Sequence, residues 1–159
     1  MLIVKKFGGT SVADKERMFN VANRCIEEYK KGNDVVVVLS AMGKYTDELI
    51  SKARDMDERP PKREMDMLLT IGEQMSVSLM AMAFDKLGVP AVSLNAFQVA
   101  MHTTSVHGNA RLKRIDTERI RRELENHFLF YILQHICWQH CRYVLCLLQM
   151  YLRISLLLT

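Results

Sequence analysis

The residues LIVKKFGGTS, numbered 2–11, decide the fold. A short apolar run leads into two lysines, two glycines and two hydroxyl side chains, the pattern of a buried strand that ends in an anion-binding turn. Adjacent glycines adopt backbone angles closed to other residues, and no Cβ atom shields their N–H groups. Lys6 adds a positive charge at the end of the strand. The pattern predicts a phosphate-binding turn at the carboxyl edge of a parallel sheet.

The glycine turn also fits a simpler interpretation. It matches neither GxxxxGK[ST] nor GxGxxG, so Gly8-Gly9 could form only a tight turn beside solvated lysines. Thr10 and Ser11 are predicted to cap the next helix, whose N-terminal dipole favours negative charge. Residue types alone leave both interpretations open.

The residues after the glycines predict a βαβ unit. Residues 14–31 carry apolar side chains at the spacing of one buried helix face, and Gly32 follows two lysines as a stop signal. Residues 34–40, DVVVVLS, are apolar on both faces, as in a central strand of a parallel sheet. Strand, helix and strand in this order form a right-handed unit, which places the protein in the α/β class.

The second strand also ends in small and polar residues, SAMGKYTD at 40–47. Because the carboxyl ends of neighbouring parallel strands meet at one sheet edge, this turn is expected beside the first. Ser40 and Thr46 are therefore candidate ligand-binding hydroxyls. Thr46 also fits a plain cap of a helix that starts at Asp47.

A long helix is predicted over residues 62–87, between Pro60-Pro61 and Gly88. Gly72 inside it costs about 1 kcal/mol relative to alanine, which indicates a close approach by a ligand or by backbone. Glu73 stands among apolar neighbours, and a carboxylate on a buried face needs a cationic partner such as a substrate amino group. The alternative is a surface glutamate paired with a lysine.

The next residues predict smaller elements. These are a strand at 89–94, a loop region at 95–107 and a charged helix at 116–125. His102 and His107 have no carboxylate or cysteine at ligand spacing, so they are interpreted as loop histidines and no metal site is predicted.

Three stretches together resemble the aspartokinases, within the amino-acid kinase family. They are KFGGTSV at 6–12, SAMGKYT at 40–46 and LLTIGEQMS at 68–76. The resemblance implies a three-layer αβα fold with a mainly parallel sheet, in which residues 1–126 form a partial amino-acid kinase domain, its substrate-binding lobe. It also implies transfer of the γ-phosphoryl group of ATP to the β-carboxylate of L-aspartate, in the biosynthesis of lysine, threonine and methionine.

The resemblance assigns roles to the site residues. Lys6 would stabilise charge on the transferring group, and Gly8 and Gly9 would donate backbone N–H bonds to it, which makes these three the catalytic residues. The implied nucleotide-binding residues are Lys6, Gly8, Gly9, Thr10 and Ser11. The implied substrate-binding residues are Ser40, Thr46 and Glu73, with Glu73 contacting the α-amino group. ATP and L-aspartate are the expected partners, and Mg²⁺ is expected to arrive with the nucleotide.

The family pattern stops near residue 126. The family would continue with a buried strand ending in Gly-Phe-Gln-Gly, then a Gly-Arg-Gly-Gly-Ser-Asp turn and a Thr-Asp-Val-Asp-Gly segment, and none of these occurs here. They would supply the arginine for the substrate carboxylate and the adenine and ribose contacts. We therefore expect a truncated aspartokinase that is weakly active or inactive as it stands. The alternative is a non-catalytic subunit or fragment that associates through an apolar C-terminal helix.

Residues 127–159 form an apolar tail of different composition. The tail contains no Asp, Glu, Lys, Gly or Pro, and its only charged side chains are Arg142 and Arg153. We predict a helical tail, for which three interpretations remain open. It could pack on the sheet or on a second copy in a homo-oligomer, lie on a membrane surface, or be out-of-frame coding sequence. Gln, His and Arg interrupt every window long enough to span a bilayer, so no membrane partner is expected.

Composition limits the partners and the location. The net charge is +4 over 159 residues and no basic stripe is present, so nucleic acid is not expected. The four cysteines include no C-x-x-C pair, and the sequence shows no signal peptide. Both features favour a reducing, cytoplasmic setting.

Overall fold

The computed structural model describes residues 1–126 and 129–133, the last five by their backbone pairing. This described part contains six strands and four helices. They are β1 (Leu2–Phe7), α1 (Lys15–Lys30), β2 (Asp34–Leu39), α2 (Tyr45–Met56), α3 (Lys62–Lys86), β3 (Ala91–Leu94), β4 (Met101–Thr103), β5 (Leu112–Ile115), α4 (Glu118–Glu125) and β6 (Leu129–Leu133). A 3₁₀ turn, Gly9–Val12, follows β1.

The main sheet has four parallel strands in the order β1-β2-β6-β3. β1 and β2 pair along their whole length, with Phe7 opposite Leu39. The turns that follow these two strands therefore emerge side by side at the carboxyl edge of the sheet.

The side chains of β2 explain why both faces of the sheet are covered. Val35, Val37 and Leu39 pack on one side with α1 and α3. Val36 and Val38 pack on the other side with α4 and the β4–β5 hairpin. A strand that is apolar on both faces needs a layer on each side. The predicted three-layer αβα fold is confirmed.

The first helix begins and ends where the sequence predicts. The Asp14 side chain caps α1 by accepting a hydrogen bond of 2.9 Å from the backbone N–H of Arg17. Gly32 ends the helix with a φ of +81°. The predicted capping role of Thr10 and Ser11 is wrong, because both residues lie in the 3₁₀ turn one step before the helix.

Helix α3 also agrees with its prediction. It runs from Lys62 to Lys86, and Gly88 follows with a φ of +74°. By length and composition alone α3 could cross a membrane, and core helices of soluble proteins pass the same test. One face of α3 packs into the core, where Met80 and Phe84 are fully buried.

The loop predicted over residues 95–107 is partly a hairpin. β4 and β5 pair antiparallel with an irregular register between His102 and Thr103. These strands have three and four residues, too few to show the alternating pattern that identifies a strand in a sequence.

The helix predicted for the tail is wrong for Leu129–Leu133. These residues form β6, which pairs with β2 on one side and with β3 on the other. A run of four to eight apolar residues fits a buried strand as well as a helix, and Phe, Tyr and Ile favour strands. The alternative of a non-catalytic subunit proposed an apolar C-terminal helix as its contact surface. Such a helix does not include Leu129–Leu133. The division at residue 126 stays a prediction, because residues 127–128 and 134–159 lie outside the described part.

The buried thiol of Cys25 should make the free energy of unfolding depend on pH at high pH. Cys25 is fully buried in α1, and this burial raises the pKa of its thiol from 9.0 to about 11, while Lys5 and Glu28 have smaller, opposing effects. A pKa raised in the folded state contributes stability that is present below about pH 9 and is lost as the pH rises through about 11. We expect the free energy of unfolding to fall by about 3 kcal/mol over this range, measured by urea denaturation.

Cys25→Ala is the control for this pH effect, since lysines titrate in the same range. The variant should lose the Cys25 component and show a shallower slope of stability against pH. Equal slopes in both proteins would contradict the assignment.

Candidate functional site

Two turns meet at the carboxyl edge of the sheet. The backbone N–H of Gly43, in the turn after β2, donates a hydrogen bond of 3.0 Å to the carbonyl oxygen of Gly9, in the turn after β1. The N–H of Ser40 donates a bond of 3.2 Å to the carbonyl oxygen of Phe7. These bonds hold the two predicted ligand-binding turns together.

The space around residue 9 is too small for any side chain, so the position requires glycine. A Cβ atom at Gly9 would lie 2.3 Å from the carbonyl oxygen of Ala41 and 3.3 Å from that of Gly43. The left-handed backbone angles expected for the glycine pair do not occur, since Gly8 has a φ of −77° and Gly9 is not among the residues with positive φ. Gly9 is thus a point where two backbone segments touch.

Gly72 brings α3 to the same place. A Cβ atom at Gly72 would lie 2.8 Å from the Cβ of Ala41 and 3.7 Å from side-chain atoms of Leu49 and Tyr45. A close approach at Gly72 is confirmed, but the approaching atoms are protein side-chain atoms and not the ligand or backbone that the sequence analysis expected. Ala41 therefore contacts both glycines, a role that the sequence analysis did not assign, although its small side chain between Ser40 and Gly43 is a signal for it.

Glu73 follows Gly72 and is buried. It is 8% exposed, and its Oε2 atom has almost no contact with solvent. The interpretation of Glu73 as a surface residue is therefore wrong. A buried carboxylate requires hydrogen-bond donors or a cation as its partners.

Lys6 lies near the end of β1, just before the first turn. It is the penultimate residue of β1, pairs with Val38 and is exposed. Its Nζ atom lies 3.8 Å from the position that a Cβ of Gly8 would occupy. The ammonium group thus lies beside the first glycine of the turn, as the sequence pattern requires for an anion site.

The predicted hydroxyl residues occupy two different positions. Ser40 and Thr46 are half-buried beside the second turn, and Thr46 lies inside the first turn of α2, so it is not the helix cap. Thr10 and Ser11 are exposed on the 3₁₀ turn, where the N–H of Ser11 donates a bond of 3.0 Å to the carbonyl oxygen of Gly8. Arg17 fixes this turn through a bond of 2.8 Å to the Thr10 carbonyl oxygen.

The described residues contain no cluster of three or more His, Cys, Asp or Glu side chains that could hold a metal ion. His107 pairs with Asp66 at 3.5 Å, and the ring of His102 lies 3.1 Å from Arg114.

The residues of this edge suit a ligand that carries charges of both signs. A lysine beside a glycine turn can bind an anion, and a buried carboxylate can bind an ammonium group. Gly72 brings the helix that carries Glu73 to the second turn, which backbone bonds join to the first. A parallel sheet with two polar turns at its carboxyl edge is typical of α/β proteins that bind ligands there.

The chain belongs to the amino acid kinase family, whose model matches residues 1–138. The match extends beyond β6, in agreement with the place of that strand in the sheet.

Within this family the chain is similar to aspartokinases. An aspartokinase from Bacillus sp. (strain MGA3) is 58% identical over 123 residues, which are 77% of this chain and 30% of the relative. A crystal structure of aspartate kinase from Synechocystis has a TM-score of 0.74 at 39% identity, over 84% of this chain and 22% of that one. Aspartokinase III from E. coli, crystallised with aspartate and ADP, shares the fold at a TM-score of 0.69 and 23% identity, over 84% and 40% of the two chains.

The chain spans about 30% of the length of the curated aspartokinases that it matches in sequence.

Because Gly9 lies so close to Ala41, replacing Gly9 with alanine, which adds one methyl group, should destabilise the fold. Gly9→Ala should lower the free energy of unfolding by about 1–3 kcal/mol, because the new Cβ would overlap a backbone oxygen that cannot move alone. Urea denaturation measures the change. Gly8→Ala is the matched control, since its Cβ would meet no atom closer than 3.8 Å, and it should change stability by less than about 1 kcal/mol. Equal destabilisation by both substitutions would contradict the close approach.

Proposed function

We propose that this chain is the substrate-binding part of an aspartate kinase, which transfers the γ-phosphoryl group of ATP to the β-carboxylate of L-aspartate. Residues 1–126 would form this part of the domain. The observation that carries the proposal is the meeting of the β1 turn, the β2 turn and α3 around Ala41. This meeting joins the turn beside Lys6, the second turn and the helix that carries the buried Glu73, and the similar proteins are aspartokinases.

In the proposed reaction, this part of the protein mainly positions charge. Phosphoryl transfer depends on alignment and charge neutralisation more than on covalent chemistry. Lys6 and the N–H groups of Gly8 and Gly9 would bind the transferring group, and Thr10 and Ser11 would complete the nucleotide side. Their positive potential would stabilise the charge that develops in the transition state.

The amino-acid side of the proposed site consists of Ser40, Thr46 and Glu73. The buried carboxylate of Glu73 would pair with the α-amino group of L-aspartate, and the two hydroxyls would hydrogen-bond to the substrate. This pairing would fix the orientation in which the β-carboxylate faces Lys6.

The nucleotide and its metal complete the proposal. Mg²⁺ would enter with ATP, because the described residues alone offer no ligand cluster for it. The reaction would serve lysine, threonine and methionine biosynthesis in the cytoplasm.

The proposal predicts slow turnover by the 159-residue chain itself. The sequence lacks the Gly-Arg-Gly-Gly-Ser-Asp and Thr-Asp-Val-Asp-Gly segments that the family uses for the nucleotide. We therefore expect aspartate-dependent ADP release well below the about 1–100 s⁻¹ typical of kinases. A coupled assay with and without L-aspartate measures it, and turnover within that range would contradict this expectation.

Direct binding tests the amino-acid side without requiring turnover. Isothermal titration with L-aspartate should show an affinity that Glu73→Gln reduces by about tenfold or more, because the substitution removes a buried charge and keeps the shape of the side chain. Glu64→Gln, an exposed position on the same helix, should leave the affinity unchanged. Equal affinities for the Glu73 variant and the unmodified chain would exclude the proposed role of Glu73.

A further inference from the structure

A cavity of about 480 Å³ lies beside the first half of α3. Its lining comes from three segments that are distant in the chain, namely α3, the residues that follow β3 and the residues that follow β4. Three of the lining side chains are Met67, Phe97 and Val106, which are 69%, 93% and 55% exposed. Exposed apolar side chains around one concave surface indicate a binding site. We call this surface the α3 cavity.

Hydrogen bonds fix one wall of the α3 cavity. The Asp66 carboxylate, on α3, accepts a hydrogen bond of 2.8 Å from the backbone N–H of Gly108 and lies 3.5 Å from Nδ1 of His107. The N–H of Arg111 donates a bond of 2.9 Å to the Thr104 hydroxyl, and the N–H of Thr104 donates one of 2.9 Å to the Arg111 carbonyl oxygen. The wall is therefore formed before any occupant binds, which lowers the entropic cost of binding.

The last strand of the described sheet ends beside this cavity. Strands β3 and β6 run parallel, with Leu94 opposite Ile132, and β6 ends one residue later at Leu133. Neighbouring strands are about 4.8 Å apart, so β6 ends about one strand spacing from Asn95, where the cavity lining after β3 begins. The chain that follows Leu133 thus starts next to the α3 cavity.

Residues 134–159, which we call the terminal segment, have the composition of an apolar occupant. These 26 residues (159 − 133) include seven leucines and the tryptophan Trp138, and they contain no Asp, Glu or Lys. Their only Arg residues are Arg142 and Arg153. Removing such apolar side chains from water is favourable in proportion to the area that is buried. The terminal segment and the exposed lining of the cavity therefore have matching chemistry.

We propose that the terminal segment binds in the α3 cavity of its own chain and covers Met67, Phe97 and Val106. Covalent attachment favours this occupant, because a segment joined to the fold meets a neighbouring surface at an effective concentration on the order of 1 mM. Trp138 follows Leu133 by five residues (138 − 133). Because a chain of five residues can span about 18 Å, the cavity lining is within reach of the indole ring.

The two sides of the β6 end differ in chemistry, because β6 lies between β2 and β3. The turn after β2 presents Ser40, Gly43 and Lys44, of which the last two are exposed. The turn after β3 presents Ala96 and the exposed Phe97 instead. An apolar segment that leaves β6 therefore buries more apolar area toward β3, which is the side of the α3 cavity.

The charges of the cavity do not favour a lipid surface as its occupant. Surfaces that bind anionic membranes carry an excess of Lys and Arg beside their apolar side chains. Among the residues that line the cavity, Arg63 pairs with the neighbouring Glu64, and His107 pairs with Asp66. Each of these bases has an acid beside it, so the pairs offer no excess positive charge to anionic lipid.

Disulfide trapping in the full chain tests where the terminal segment binds. Val106→Cys should form a disulfide with Cys137, Cys141 or Cys146 of the same chain under mild oxidation, identified by peptide mass spectrometry of the monomer. Met56→Cys is the matched control and should form none, because Met56 is 91% exposed on α2 and does not line the cavity. Equal trapping at both positions, no disulfide at residue 106, or a disulfide from residue 106 to a second chain would each overturn the proposal.

The fluorescence of Trp138 tests burial independently of cross-linking, because Trp138 is the only tryptophan in the chain. Phe97→Asp and Met67→Asp place a charge in the cavity, so each should shift the emission to longer wavelength and raise the acrylamide quenching constant at least about twofold. Met56→Asp should leave both values unchanged. A water-exposed Trp138 in the unmodified monomer, or equal spectra in all variants, would overturn the proposal. A shift to shorter wavelength that requires phosphatidylcholine–phosphatidylglycerol vesicles would assign the segment to lipid and overturn it as well.

Discussion

The structure depends on the contact between three small residues: Gly9, Ala41 and Gly72. Gly9 lets the first turn touch the backbone of the second, and Gly72 lets α3 touch the Cβ of Ala41. No side chain larger than a hydrogen atom fits at either glycine without movement of its neighbours. The pairing of β1 with β2 sets the two turns side by side, and these contacts join the turns to each other and to α3.

The same contact explains how a long helix contributes to an edge crevice. α3 is mainly a core helix, and its buried side chains pack against α1 and β2. At Gly72 it approaches the second turn, and the next residue along the helix, Glu73, is buried. The scaffold and the candidate site thus share consecutive residues, so a change that moves the helix also moves the carboxylate.

Local patterns predicted most of the fold, because strong signals define its elements. The apolar run of β2, the cap at Asp14 and the stop at Gly32 fixed the first βαβ unit. Gly72 was correctly predicted as a place of close approach, but the approaching atom is the side-chain Cβ of Ala41 and not a ligand or backbone atom. Ala41 could not be predicted as the partner, because a contact between segments distant in the chain leaves only a small residue as its trace in the sequence.

The failures have a common cause, which is that short segments take their structure from their surroundings. The tail residues Leu129–Leu133 are apolar enough for a buried helix, yet they form the strand that fills the sheet between β2 and β3. A central position in a parallel sheet selects for apolar side chains on both faces and for little else. The hairpin strands β4 and β5, with three and four residues, are too short to show the alternating pattern of a strand.

Helix α3 belongs to the core and to the candidate site at once. Its inner face packs against α1 and β2, and at Gly72 it contacts Ala41 of the second turn. A rigid helix transmits a shift along its axis to every residue it carries. Since interior packing leaves little free space at the contact between Gly72 and Ala41, a shift of α3 would disturb that contact and would move the Glu73 carboxylate with it. The packing of the core and the geometry of the candidate site are in this way coupled through one close contact.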